Sequence, residues 1–304
     1  MIRETLLVAS VCLAAPALAQ KLQLQNPAIN RLSEEAEAFY RLAPKIIGRE
    51  TLHHKGRQAA PRIKWLSTAD PPEVTYRNSV IVSEYGFGYF AEAPEDLREF
   101  RQVVSVDGRA RAAAATRDPR QVLAENMNSD DDRLRRRLLE DFERYGQTGS
   151  ATDFGQILLL FRRRTLPLYL FERKKDAELA GEPCQVIRWK QRTGAEPLYV
   201  FSNRRLERIP MEGEIFLRAR DLMPLRITMK ASLDEEKVPV TYTAEIDYLR
   251  SRYGLVLPSA LHIEKKARGL MLIDNHSEYA DYQMFGADSQ IIFDAEMPTV
   301  TTKP

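Results

Sequence analysis

The sequence predicts an α+β fold: one large curved antiparallel β-sheet, a half-barrel, packed on helices. Three observations carry the prediction. The first is strict alternation in the second half of the chain. In "VPVTYTAEIDYLR" (238–250), Val238, Val240, Tyr242, Ala244, Ile246 and Tyr248 share one face, and Thr241, Thr243, Glu245 and Asp247 share the other. In "PLRITMKAS" (224–232), Leu225, Ile227 and Met229 alternate with Arg226, Thr228 and Lys230. Strands with one wet face belong to antiparallel sheets. The second observation is short connections, with turn signals at Gly181, Gly194, Gly213, residues 234–237, Gly254 and Gly269. They imply a meander. The third is helical periodicity confined to a few stretches, which sets helices beside the sheet rather than between its strands.

The N-terminus reads as an export signal over residues 1–19. Arg3 precedes an apolar run from Leu6 to Ala15, and Ala17-Leu18-Ala19 offers small residues to a signal peptidase. That run is too short for a permanent membrane span, which takes roughly 20 residues. Residues 20–290 then read as a single α+β domain. N-terminal helix and strands reach to about 115, a helical insert covers about 118–164, and the meander covers about 167–290. Residues 291–304 ("MPTVTTKP" and its flank) read as a loose tail. The expected location is outside the cytoplasm, in the periplasm or beyond the cell.

Among the elements, "NRLSEEAEAFYRLA" (30–43) opens with Ser33 before two glutamates and repeats Ala36, Phe39, Tyr40 and Ala43 at helical spacing. Pro44 ends it. Residues 45–57, 74–92 and 100–110 read as strands, the last with an Asp107-Gly108 turn. "SDDDRLRRRLLEDFERYG" (129–146) carries acids at its start and an apolar stripe of Leu134, Leu138, Phe142 and Tyr145. A second short helix is expected from Thr152 to about Arg163.

Composition narrows the function classes. With 304 residues, 44% hydrophobic and 29% charged, the chain can bury a sizeable core. A net charge of +2 implies no nucleic-acid partner. Cleavage after the signal leaves Cys184 alone, so no disulfide can form within the mature chain. Its setting, "EPCQVIRW", suits a small apolar strand residue better than a reactive thiol.

One stretch imitates a cofactor site. "SVIVSEYGFGYFAEA" (79–93) places Gly86, Gly88 and Ala91 in a G-x-G-x-x-A pattern after a strand. A dinucleotide fingerprint needs a helix at those glycines. Phe87, Tyr89 and Phe90 crowd the position instead, and Pro94 would break a helix. The expectation is a long strand that bulges near Gly86 or Gly88, with no cofactor. The histidines at 53, 54, 262 and 276 lack the tight spacing of a zinc motif, and no metal site is expected of them. His53 and His54 point to opposite faces of a strand. Whether His262 and His276 share a face depends on a one-residue choice of register. Asp130–Asp132 lack the alternation of a calcium loop and read as helix caps. No nucleophile elbow, H-E-x-x-H or phosphate loop occurs, so no catalytic residues are assigned.

The segments "EFRQVVSVDGR", "GEIFLRARDLMPLRI" and "YGLVLPSALHIEKKARGLMLIDNHSEYADYQMF" resemble a group of uncharacterised exported bacterial proteins. There a P-L-R strand is followed by a G-x-x-L-P strand and a final Y-x-D-Y-x-x-F strand. The layout is also similar to the periplasmic lipoprotein carrier (LolA-like) family, a curved antiparallel half-barrel closed by helices. That resemblance implies a concave apolar face that receives acyl chains. It carries over no individual residue. The resulting expectation is a non-enzymatic exported protein whose partner is a lipid or lipoprotein, with an envelope scaffold or interaction protein as the alternative and a hydrolase as the third. The inward residues Leu225, Ile227, Met229, Val240, Tyr242 and Ile246 are the candidate lining of such a cavity. Ordinary core is the competing reading for all six.

Overall fold

The computed structural model describes residues 26–58, 74–111, 117–145, 153–192, 199–202, 205–208, 210–235 and 238–285. The export signal and the C-terminal tail lie outside these. One open antiparallel sheet of 12 strands dominates, as the alternation predicts. Its C-terminal half is a plain meander: β10 (Met211–Arg218), β11 (Pro224–Glu235), β12 (Val238–Arg250), β13 (Val256–Ala267) and β14 (Leu270–Met284) follow one another in space. Beyond β10 lie β7 (Glu182–Gln191), β5 (Tyr169–Arg173) and the short β6 (Ala177–Leu179).

The other half is N-terminal. β1 (Ile46–Arg57) pairs with β14, then come β2 (Tyr76–Phe90), β3 (Ala93–Val106) and β4 (Arg109–Ala110). The first strand therefore joins the last. The hairpin of β8 (Tyr199–Ser202) and β9 (Arg205–Arg208) stands apart from the sheet.

The fingerprint-like stretch is resolved by β2, which runs unbroken through both glycines. Its pairing with β3 slips between Gly88 and Phe90, so the strand bulges there. A Cβ at Gly86 would stand 2.9 Å from the Met127 sulfur. The glycine serves close packing of a helix, not a phosphate. Asp107 and Gly108 turn with positive φ, and the Asp107 carboxylate accepts from the Val80 amide at 2.8 Å.

Helix α1 (Pro27–Leu42) starts earlier than its sequence suggests. Asn26 caps it, accepting from the Ala28 amide at 2.9 Å, with Pro27 in the first turn. Ser33 lies inside the helix and is buried, because the apolar stripe begins with Ala28, Ile29 and Leu32 rather than Ala36. The acidic stretch at 130–132 is split in the same way. α2 (Pro119–Asn128) ends at Ser129, and Asp131 caps α3 (Asp132–Glu143) by accepting from the Arg133 amide at 2.9 Å. The segment expected as a second short helix contains a 3₁₀ stretch over Ile157–Phe161.

The main core lies between one face of the sheet and a cover made of α1 and residues 153–168. Phe39, Leu158, Phe161, Trp189, Ile215, Ile227 and Ile246 are wholly buried there. On the opposite face, α2 lays Leu123, Ala124 and Met127 on Ile47, Phe90 and Phe100. Cys184 is buried, and burial pushes its thiol above the ordinary range, so it is held neutral.

Gly213 is a position that only glycine can fill. A Cβ there would fall 1.9 Å from the Thr228 carbonyl oxygen, to which Trp189 Nε1 donates at 3.2 Å. Gly213→Ala should break this approach and lower the unfolding midpoint in urea. Ile227→Ala, at a fully buried position, should cost about 3 kcal/mol by the same measurement, and Ile227→Glu should prevent folding. A stable, folded Ile227→Glu variant would contradict the core position.

Candidate functional site: the covered inner face

The candidate lining residues all sit on the covered face. Ile227, Met229, Val240, Tyr242 and Ile246 are buried in the main core, and Leu225 packs against it half-buried. Alternation places them: Ile227 opposes Ile246 and Met229 opposes Ala244 across β11 and β12. A cover packs on them. It consists of one helix and a segment of short 3₁₀ turns, at 157–161 and 166–168. Aromatic rings join the cover to the sheet, with Phe161 of the cover, Tyr169 and Trp189 in mutual edge or tilted contact at 5.4 to 5.7 Å.

Polar ties fasten this cover. Glu35 of α1 is buried and pairs with Arg250 of β12 at 2.5 Å and with Arg31. Glu37 of α1 receives Arg162 at 3.3 Å and the Arg163 amide at 3.1 Å, so helix and turns hold each other. Arg162 also stacks on the Tyr40 ring at 3.4 Å.

The tie to the sheet is the most unusual. Arg101 of β3 is only 2% exposed. It donates to Glu50 of β1 at 2.5 Å, to Glu99 at 2.9 Å and to Asp153 of the cover at 2.6 Å. Glu99 also accepts from the Gln156 amide at 3.0 Å. Glu50 and Glu99 are fully buried. The pairing of β1, β2 and β3 sets this up: Glu50 opposes Ser83, and Arg101 opposes Tyr85, all on one face.

One buried guanidinium thus meets two buried carboxyl groups and a third, Asp153, that is part-exposed. Burial drives the Glu99 carboxyl up to about 8, and the neighbouring Asp153 and Glu50 push the same way against the pull of Arg101. For Arg101, burial favours losing the proton, but Glu50, Asp153 and Glu99 outweigh it and hold the charge firmly. Tyr85 and Tyr279 flank the cluster, and burial raises both phenols well above their usual range. Among the described residues, neither hydroxyl has a hydrogen-bond partner. A Cβ on Gly155 of the cover would come within 2.7 Å of the Tyr85 hydroxyl, so the cover presses on the cluster directly.

Sequence reasoning missed this cluster. The only signal was "EFRQ" (99–102), where Glu99 and Arg101 fall on one face of a predicted strand. Nothing in the chain marked that face as the inner one.

No family model matches the chain, and no curated protein matches it. Similar solved structures include a domain described as outer-membrane lipoprotein-sorting from Vibrio parahaemolyticus, at 9% identity, covering 83% of this chain and 90% of that one, with a TM-score of 0.34. A DUF1329 family protein from Desulfovibrio piger matches at 10% identity over 84% and 91%, with a TM-score of 0.33. A LolA superfamily protein from Nitrosomonas europaea matches at 10% identity over 84% and 92%, with a TM-score of 0.28. An open antiparallel sheet covered by helices is the architecture that the resemblance to lipoprotein carriers implied. At identities and TM-scores this low the likeness says nothing of what the chain binds.

The raised Glu99 acidity has a signed consequence. The unfolded carboxyl titrates near about 4.3, whereas the folded one titrates at about 8. The folded state therefore holds this proton more tightly. Its contribution is complete below about pH 4.3 and is lost as pH rises toward 8. Thermal melts between pH 5 and 8.5 should show a decline that Glu99→Gln reduces, with the variant melting above the native protein at pH 8.5. Identical slopes would mean that Glu99 is ionised throughout.

Proposed function

We propose that this is an exported, non-enzymatic protein that binds an apolar ligand, a lipid or acyl chain, on the inner face of its sheet. The observation that carries the reading is the make-up of the cover. It buries a continuous apolar and aromatic face, yet it is built from one helix and short 3₁₀ turns, and buried ion pairs fasten it. An acyl chain sliding under such a cover could replace apolar contacts with equivalent ones, while the fixed polar ties would return the cover to one position. Short 3₁₀ pieces have poorer hydrogen-bond geometry than strands and open at lower cost. Export is supported by the sequence of residues 1–19, and no described helix is long and apolar enough to cross a membrane.

A scaffold with a filled core is the second reading. The dense packing of Ile227, Met229, Val240, Tyr242 and Ile246 under the cover favours it. Native mass spectrometry of the mature protein, released gently from its own envelope, separates the two. A carrier should show a lipid-sized added mass that is lost on organic extraction. Asp153→Asn, which loosens the Arg101 tie at its most exposed member, should increase uptake of a fluorescent fatty acid several-fold. A bare protein mass, together with no thermal shift on adding lipid to either form, would sink the carrier reading in favour of the scaffold.

A further inference from the structure

On the outward face of the sheet, the register settles what the sequence left open. His262 of β13 pairs directly with His276 of β14, so both rings leave the same face. The rings stack with centroids 3.8 Å apart and planes 14° from parallel. Asp274 lies two residues before His276 on the same strand and therefore on the same face. Its Oδ1 stands 3.0 Å from His262 Nε2 and 3.1 Å from His276 Nε2. Three ligand atoms on adjacent strands thus converge, all within 4.8 Å of one another.

We propose that His262, Asp274 and His276 form a binding site for a divalent transition-metal ion of the zinc type. The donor set is the argument. Two imidazoles and one carboxylate are a common zinc combination, and they leave coordination positions open. Ligand atoms held about 2.0–2.2 Å from one tetrahedral ion lie roughly 3.3 to 3.6 Å from each other, a few tenths of an ångström wider than the two nitrogen–oxygen separations of 3.0 and 3.1 Å. The rigid β13–β14 pairing supplies the spacing, so little ordering is left for binding to do.

The surroundings suit an ion arriving from solvent. The two histidine side chains are 38% and 55% exposed. Glu264, opposite Asp274 in the register, is already occupied by Lys266 at 2.7 Å and does not compete for the ion. Beside His262 opens a polar groove of about 500 Å³, edged by Arg188, Glu212, Lys230 and Glu245. The open positions of a bound ion would face water and this groove. His53 stands next in the row, paired with His276 from the other side, but it is not one of the three converging groups.

The test is calorimetric titration of the untagged, chelator-treated protein with zinc chloride, with native mass spectrometry for stoichiometry. One ion per chain is expected. His262→Ala, His276→Ala and Asp274→Asn should each weaken binding about tenfold or more, with melting without metal showing that each variant is folded. Saturating zinc should raise the melting temperature of the native chain and not that of the His262→Ala/His276→Ala double variant. Absence of a one-to-one complex, or affinity unchanged in the double variant, would overturn the site. Equal weakening by His53→Ala would show diffuse adsorption along the histidine row and would overturn it as well.

Discussion

The pairing of the first strand with the last is the constraint on which the rest of the structure depends. β1 and β14 are separated by more than two hundred residues, yet they run together from Ile46 opposite Met284 to Gly56 opposite Ile273. Without this seam the N-terminal strands and the meander would be two small sheets, each with an exposed edge. With it they become one surface wide enough to need a cover. The Arg101 cluster and the outer histidine group are both built at or next to the seam. Glu50 comes from β1 and meets Arg101 two strands away. Asn275 of β14 receives His54 of β1 at 2.7 Å on the inner face. His276 and Asp274 come from β14 on the outer face.

The inner cluster is costly by itself. Removing one guanidinium and the two carboxyls of Glu50 and Glu99 from water is not repaid by a Coulomb term alone. Two features lower the cost. Glu99 keeps its proton near neutral pH, so one fewer charge is buried, and Arg101 is met on three sides by acceptors. What such a cluster supplies is position. An apolar cover can slide on an apolar face with little change in buried area, whereas Asp153 and the Gln156 amide fit Arg101 and Glu99 in one arrangement only. A parallel arrangement governs the far face, where Glu84 is buried between Arg49 and Arg120 and fixes α2 on β2.

Much of the sheet was legible because its strands are long and wet on one side. The inward faces of β11 and β12 follow from alternation alone, and the glycines of β2 could be freed from the cofactor reading because aromatic residues stood where a phosphate would have to lie. Helix ends were less legible. Ser33 has the chemistry of a cap, but Asn26 and Pro27 have it too and come first along the apolar stripe. The clusters were barely legible. Alternation tells which residues share a face of one strand, but it does not tell which strands are neighbours. The seam between β1 and β14 is non-local, and no spacing within the chain announces it.

The same register ties the two faces of the molecule together. Along β14, Asn275, Ser277 and Tyr279 point inward, while Asp274, His276 and Glu278 point outward. A slip of one residue would exchange the two sets, burying a histidine and two carboxylates and exposing the tyrosine that flanks Arg101. The penalty on the inner face is large, since a buried charge without its partner is among the most destabilising changes a core can suffer. The inner cluster and the apolar core therefore hold the register, and the outer groups need contribute nothing to it. That division explains how a trio of two imidazoles and a carboxylate can be held at ligand spacing without a supporting shell of its own. Its geometry is a by-product of the strict inward packing one residue away on each strand.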